Sequence, residues 1–347
     1  MVDYILVGAG LSGIAIAEEL LSRGKKIVIF EDHSQNSSTV AGGLYNPVIL
    51  KRFTLAWNAD NQLELALPFY RNLEKKLGVE LIEDLPVYRK FFSVEEQNNW
   101  FEAMDKPQLS PFLDGELVSQ LNPMIPSDFS FGRVKGTGRV DTGLLTGKYK
   151  VYLKEEKLLE EETFQYNDLR IENDGISYRN LRAGKIIFCE GFGMKNNPFF
   201  NFLPLHGNKG EYIIVHAPEL KLNVAVKSSV FVLPQGNNMY KIGATYDNRD
   251  TEPGPTIKAR ETLINQLKKL ITCNFEVVGQ VSGIRPASKD RKPLVGQHPE
   301  HSSLFVCNGF GSRGVIIAPS IATSLISHIE DKNPLDSEID IRRFQNS

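Results

Sequence analysis

The sequence predicts an α/β fold in which a parallel-sheet domain is interleaved with an α+β domain built on an antiparallel sheet. Three observations predict it. A short apolar strand runs directly into Gly8-Ala9-Gly10-Leu11-Ser12-Gly13 and then into a helix-spaced segment. Two further strand–glycine turns, at residues 190–193 and 308–314, recur late in the chain. Between these turns, residues 212–216, 224–227, 230–234 and 239–244 give four strand signals with no helix among them, as in an antiparallel sheet.

The elements follow in order. Residues 4–7 are a buried strand. Residues 13–23 carry Ile14, Ala17, Leu20 and Leu21 at helical spacing, and Gly24 stops that helix. Ile27–Phe30 is a second buried strand, closed by Glu31. Continuous apolar strands around one helix form a βαβ unit with a parallel sheet covered on both faces. Residues 36–43, rich in Ser, Asn and Gly, read as a loop. A helix is expected over 60–77, a polar helix near 95–104, and turns at Pro107, Pro111, Pro123 and Pro126. Residues 141–153 read as a helix, and the charge run 155–163 as a solvated helix face. Strands are expected over Leu169–Glu172, Gly175–Tyr178 and residues 185–189. An amphipathic helix follows the antiparallel strands at 258–271, then strands at 279–283 and 304–307, and a closing helix at 319–330. The resulting division gives residues 1–84, 132–204 and 285–347 to the first domain. Residues 85–131 and 205–284 form the second.

Bulk properties narrow the function. A chain of 347 residues accommodates two domains. Its 40 basic and 42 acidic residues leave a net charge of −2, which argues against a nucleic acid as the main partner. Cys189, Cys273 and Cys307 lie far apart with no CxxC or Cys/His spacing, so neither a disulfide framework nor a metal centre is expected. The first residues lack the basic segment of a signal peptide, and no apolar run is long enough to span a bilayer. The expected location is the cytoplasm. Nothing in the chain points to an oligomeric state.

The first turn has the form GxGxxG. Gly8 permits the tight turn, Gly10 lets phosphate approach the backbone, and Gly13 lets helix and strand pack closely. The helix N-terminus, at Leu11 and Ser12, offers free N–H groups and a positive dipole to a pyrophosphate. Glu31, with Asp32 beside it, stands where a carboxylate can accept hydrogen bonds from ribose hydroxyls. This predicts a Rossmann-like dinucleotide-binding domain. The cofactor is expected to be FAD rather than NAD because three more glycine segments return to the site. They are Gly42-Gly43-Leu44, the turn at Gly191, and Gly309-Phe310-Gly311-Ser312-Arg313-Gly314-Val315. A buried ring system needs backbone close by, and glycines permit that approach.

With these elements in order, the chain resembles the D-amino-acid oxidase family of FAD-dependent oxidoreductases over nearly its whole length. The segments that carry the resemblance are Ser282-Gly283-Ile284-Arg285-Pro286-Ala287 through Gly296, residues 304–309, and residues 313–319. They are similar to the C-terminal signature of glycine oxidase. Gly311–Gly314 and residues 242–246 also resemble the FAD-dependent half of the bifunctional enzyme that modifies the tRNA wobble uridine. The resemblance implies non-covalent FAD and a substrate carboxylate held by Arg285, whose guanidinium matches a carboxylate in bidentate fashion. Where glycine oxidase has a carboxylate-binding tyrosine, this chain has Phe231, so Tyr246 is a candidate to supply the hydroxyl. Cys307, in an apolar strand, is read as a small buried hydrophobe rather than a covalent flavin anchor.

The implied activity is oxidation of the C–N bond of an amino acid or N-substituted glycine-like amine, by hydride transfer to flavin with oxygen as acceptor. The alternatives are oxidative removal of a carboxymethyl group from tRNA wobble uridine, an amine dehydrogenase using a quinone, and a non-catalytic FAD-binding protein. The tRNA alternative would need a basic surface from Lys51, Arg52, Arg89, Lys90, Lys289, Arg291 and Lys292.

Overall fold

Val2–Val7 lies at the centre of a largely parallel sheet, paired with Ile27–Phe30 on one side and Leu181–Phe188 on the other. Leu304–Asn308 extends the sheet beyond Leu181–Phe188, again in parallel. Leu294–Gln297 closes that edge antiparallel. The first half of Leu181–Phe188 instead carries an antiparallel meander through Gly175–Tyr178 and Leu169–Glu172. The computed structural model describes residues 1–344. Helices Leu11–Ser22, Ala59–Leu77, Thr142–Glu155 and Gly314–Asp331 pack a shared apolar core against one face of this sheet. Val7, Phe30, Ile186 and Phe188 fill a second core on the other face.

The second sheet has eight strands, drawn from residues 87–134 and 205–288. Its order is Glu276–Ser288, Leu205–His216, Met239–Gly243, Phe231–Pro234, Ala225–Lys227, Val87–Lys90, Phe131–Val134 and Leu113–Val118. All pairings are antiparallel except Ala225–Lys227 with Val87–Lys90. Helix Ile257–Lys268 contributes Leu263 and Leu267 to the core on one face. No helix among the described residues is long and apolar enough to cross a membrane.

Four elements differ from the sequence reading, each for a physical reason. The loop 36–43 contains one helical turn, Ser37–Val40, closed by the Val40 amide on the Asn36 carbonyl at 3.0 Å. The charge run 155–163 is not a helix. The helix ends at Glu155, and Leu159–Glu160 pairs with Ile29 and Phe30 as a short edge strand. Strand 279–283 belongs to a 13-residue strand, Glu276–Ser288, paired with the 12-residue Leu205–His216. Gly207, Gly210 and Pro286 hide this pair from local propensity, and tertiary pairing overrides it. The strand spans the 284/285 division drawn from the sequence.

The closing helix starts at Gly314, five residues before Pro319. Proline has no N–H to donate to the carbonyl four residues back. Here that carbonyl, on Val315, accepts the Tyr70 hydroxyl at 2.7 Å instead.

Candidate active site

The glycine turns converge on one cavity of about 760 Å³ between the two sheets. The first turn is shaped by close backbone contacts. Gly8 sits at φ +100°, and a Cβ there would stand 2.5 Å from the Cys189 carbonyl oxygen. A Cβ on Gly13 would fall far inside contact distance of the Gly8 carbonyl oxygen. Only glycine closes this strand–turn–helix junction. Gly13 therefore supports the turn from behind, while Gly8, Gly10, Leu11 and Ser12 line the cavity. The Ser12 hydroxyl donates to the Cys307 carbonyl at 2.7 Å, which ties the first turn to the late strand.

Glu31 and Asp32 line the same end. Glu31 is buried and accepts from the Ala9 amide at 2.6 Å and the His33 amide at 3.0 Å. The Lys150 ammonium lies 3.1 Å away. Glu190, beside the second glycine turn, is also buried and accepts from the Asn197 side-chain Nδ2 at 2.7 Å and from the Tyr166 hydroxyl. Burial pushes its carboxyl up to about 7, with the Asp32 charge adding to the rise.

Gly42, Gly43, Leu44 and Gly191 line the cavity as well. So do Gly311, Ser312, Arg313, Gly314 and Val315 at the head of the last helix. Gly309 does not. It makes the turn against Leu294 at φ +79°. Two helix N-termini open here, both without a side-chain cap. Their dipoles favour negative charge.

Arg313 is the third cationic feature. Burial draws its pKa down, and its Nη1 has no hydrogen-bond partner among the described residues. An orphaned donor in a cavity wall, two uncapped helix heads and a glycine cradle fit an elongated, anionic dinucleotide with a flat ring system. FAD is such a molecule. Gly8–Gly13 and Glu31 would hold its nucleotide end. The Gly42–Leu44 loop and Gly311–Val315 would hold its ring end.

The second sheet supplies the opposite wall. Arg285 and Asn208 are cross-strand partners. The buried Asn208 accepts from Arg285 Nη1 at 2.7 Å, and the Thr245 carbonyl lies 3.4 Å from the same nitrogen. Tyr246 places its ring 5.2 Å from the guanidinium carbon and is 69% exposed, so it meets Arg285 by its face, at the rim. Arg285 makes no ion pair with a carboxylate among the described residues. The Gly311 amide donates to the Pro286 carbonyl at 2.8 Å, and Ala287 bridges Phe310. The arginine strand is thus hydrogen-bonded to the head of the last helix.

Sequence reasoning missed Asn208, Tyr212 and Lys227. All three face the cavity side of this sheet or hold a residue that does. Their signal was strand alternation, which places Asn208 and Tyr212 on one face and pairs Lys227 beside Phe231. Cys189 and Cys307 are both buried free thiols, as is Cys273. Cys307 is 1% exposed and does not line the cavity.

The likenesses to known proteins agree with this arrangement. The chain is 23% identical to glycine oxidase of Bacillus subtilis, with 95% of this chain and 93% of that protein aligned. It is also 23% identical to the tRNA 5-methylaminomethyl-2-thiouridine biosynthesis bifunctional protein of Legionella pneumophila, of which it spans only 54%. The crystal structure of glycine oxidase from Geobacillus kaustophilus superposes with a TM-score of 0.78 at 21% identity, over 99% of this chain and 97% of that one. Residues 3–327 match the sequence model of the DAO family, described as FAD dependent oxidoreductase, and the chain belongs to that family.

Proposed function

We infer that the protein oxidises the C–N bond of an amino acid or an N-substituted glycine-like amine, with oxygen as the final acceptor. One observation carries this reading. Arg285 faces the cavity with a neutral Asn208, a carbonyl and an aromatic face around it, and no carboxylate of the described residues beside it. A guanidinium so placed is free to take a substrate carboxylate in bidentate fashion.

Bound FAD supplies a two-electron acceptor for a hydride. The chain's own residues bind and orient the substrate. Asn208 and the Tyr246 ring hold Arg285, and Arg285 in turn fixes the α-carbon. Phe231 and Leu233 line the wall with apolar surface that excludes water. The substrate α-carbon gives up a hydride, and its nitrogen loses a proton. Water then splits the resulting imine into an oxo acid and an amine or ammonia. Oxygen takes up the two electrons and two protons as hydrogen peroxide. The free thiols support a reducing, cytoplasmic setting.

The test is anaerobic titration of the flavin-loaded protein with glycine, sarcosine and longer amino acids. The expected result is bleaching of the visible flavin band by at least one of them. A band unchanged by the whole series overturns the reading.

The tRNA alternative has less support. Arg89 is buried and ion-paired with Glu96, and Lys292 is paired with Glu338 at 2.7 Å. Two of the seven basic residues are therefore tied up in ion pairs rather than free for phosphate. A salt-dependent shift of tRNA mobility on adding the protein would favour that alternative.

A further inference from the structure

Besides Arg285 and Arg313, the cavity is lined by Lys227, a cation for which the reaction above has no use. Lys227 lines the cavity and is half-buried. Its ammonium donates to the Ser229 carbonyl at 3.2 Å and stands 4.9 Å from the centre of the Phe231 ring. It makes no ion pair with a carboxylate among the described residues. An ammonium on the cavity wall without a counter-charge beside it leaves a positive charge for an anionic ligand to meet.

The register of the sheet places it. Tyr212, Gly243, Phe231 and Lys227 form one row across four adjacent strands, each paired with the next. Antiparallel cross-strand partners share a face. Gly243 has no side chain, and a Cβ there would stand 2.6 Å from Tyr212 Cδ1, so the Tyr212 ring lies across it. The row is therefore an aromatic floor, Tyr212 then Phe231, that ends on an ammonium. Arg285 overlies Gly210, which is two residues before Tyr212 on the same face. Three strand spacings separate the Tyr212 strand from the Lys227 strand, roughly 14 Å between backbones. One small carboxylate cannot reach both cations.

We propose that the substrate carries a second anionic group, held by Lys227, at the far end of an apolar spacer from the carboxylate held by Arg285. The substrate class is then an amino acid or N-substituted glycine with a distal carboxylate or phosphate. Its methylenes lie on Tyr212 and Phe231. This rests on the amine-oxidising reading and adds a length and a second charge to it. It also gives Phe231 a role in place of the missing hydroxyl, as floor rather than hydrogen-bond donor.

The test reads binding, not turnover, so it stays readable even if no amine bleaches the flavin. Calorimetry on the flavin-loaded protein measures the affinity of linear diacids from succinate to suberate, each against the monocarboxylate of equal chain length. A parallel arm uses ω-phosphono acids. In the wild type, one length should show a preference for the doubly anionic ligand of about tenfold or more, as for a charge-assisted hydrogen bond. The arm with the larger preference identifies the distal group as carboxylate or phosphate. Lys227→Met should bring the ratio to about one at every length, and Lys227→Arg should retain a preference. A wild-type ratio near one throughout overturns the proposal, as does a preference that survives Lys227→Met. Should Lys227→Met lose its flavin, the wild-type length series and Lys227→Gln give the same decision.

Discussion

The Arg285 guanidinium occupies the space that a side chain at Gly210 would need. A Cβ on Gly210 would overlap Nη2, Cζ and Nη1 of Arg285. The atoms in the way are the end of a flexible side chain, so the strand can accept alanine while the arginine cannot stay. Gly210→Ala should therefore retain FAD and weaken binding of a carboxylate ligand by about tenfold or more, the order expected for losing a charge-assisted hydrogen bond. Calorimetric titration of the flavin-loaded variant with a monocarboxylate checks this. Unchanged affinity would mean that Arg285 does not hold the carboxylate from this position.

Gly13→Ala should have the opposite profile. The obstacle there is the backbone carbonyl of Gly8, which cannot swing away. The turn must open, and flavin content should fall by half or more. The ratio of visible to ultraviolet absorbance of the purified variant measures it. Full flavin loading would show that the turn tolerates a side chain.

Tyr246 meets Arg285 through its ring face. An exposed cation–π contact contributes about 0.5–1 kcal/mol, or roughly two- to fivefold in affinity. Tyr246→Ala should raise KM by that factor, and Tyr246→Phe should leave it near the wild-type value. If both variants lose affinity equally, the hydroxyl rather than the ring is the contact, as the sequence reading had it.

Glu190 gives a pH dependence with a definite sign. Burial pushes its carboxyl up from 4.5 to about 7, despite the Asn197 and Tyr166 hydrogen bonds that pull it down. Between those two values the folded state binds more protons than the unfolded chain, so stability falls as pH rises through the window. Glu190→Gln removes that loss. Relative to wild type, the variant should gain stability from pH 5 to pH 8 by up to roughly 3 kcal/mol. Thermal unfolding of the flavin-loaded proteins at the two pH values reads it. An equal difference in Tm at both would count against a raised Glu190.

The nucleotide half of the site was legible because its signals are local. Gly8, Gly10 and Gly13 shape one turn, and the strand, helix and acid that give them meaning lie within about thirty residues. The wall opposite was less legible because it is made by pairing. Asn208 reaches Arg285 across 77 positions of sequence. Lys227 gains its meaning from Phe231, Gly243 and Tyr212 on three other strands. Strand Leu205–His216 was read only from its second half, because Gly207 and Gly210 look like loop residues. The glycines there make room for Phe192 and Arg285 rather than for a turn. The early start of the last helix was hidden by Pro319, since no local rule announces that Tyr70 will serve the vacated carbonyl.

The hydrogen bond from the Gly311 amide to the Pro286 carbonyl acts as a calliper. One jaw is Arg285, the residue before Pro286, and the other is the head of the last helix. This hydrogen bond and the Ala287–Phe310 bridge tie the two jaws to each other. On the proposed reading, extra length in a ligand projects away from that end, along the Tyr212–Phe231 floor. Selection among ligands that share a carboxylated head would then be made by their tails. On that reading, new preferences are written in the row of Phe231 and Lys227, away from Asn208 and Gly210, which hold Arg285 and make room for it.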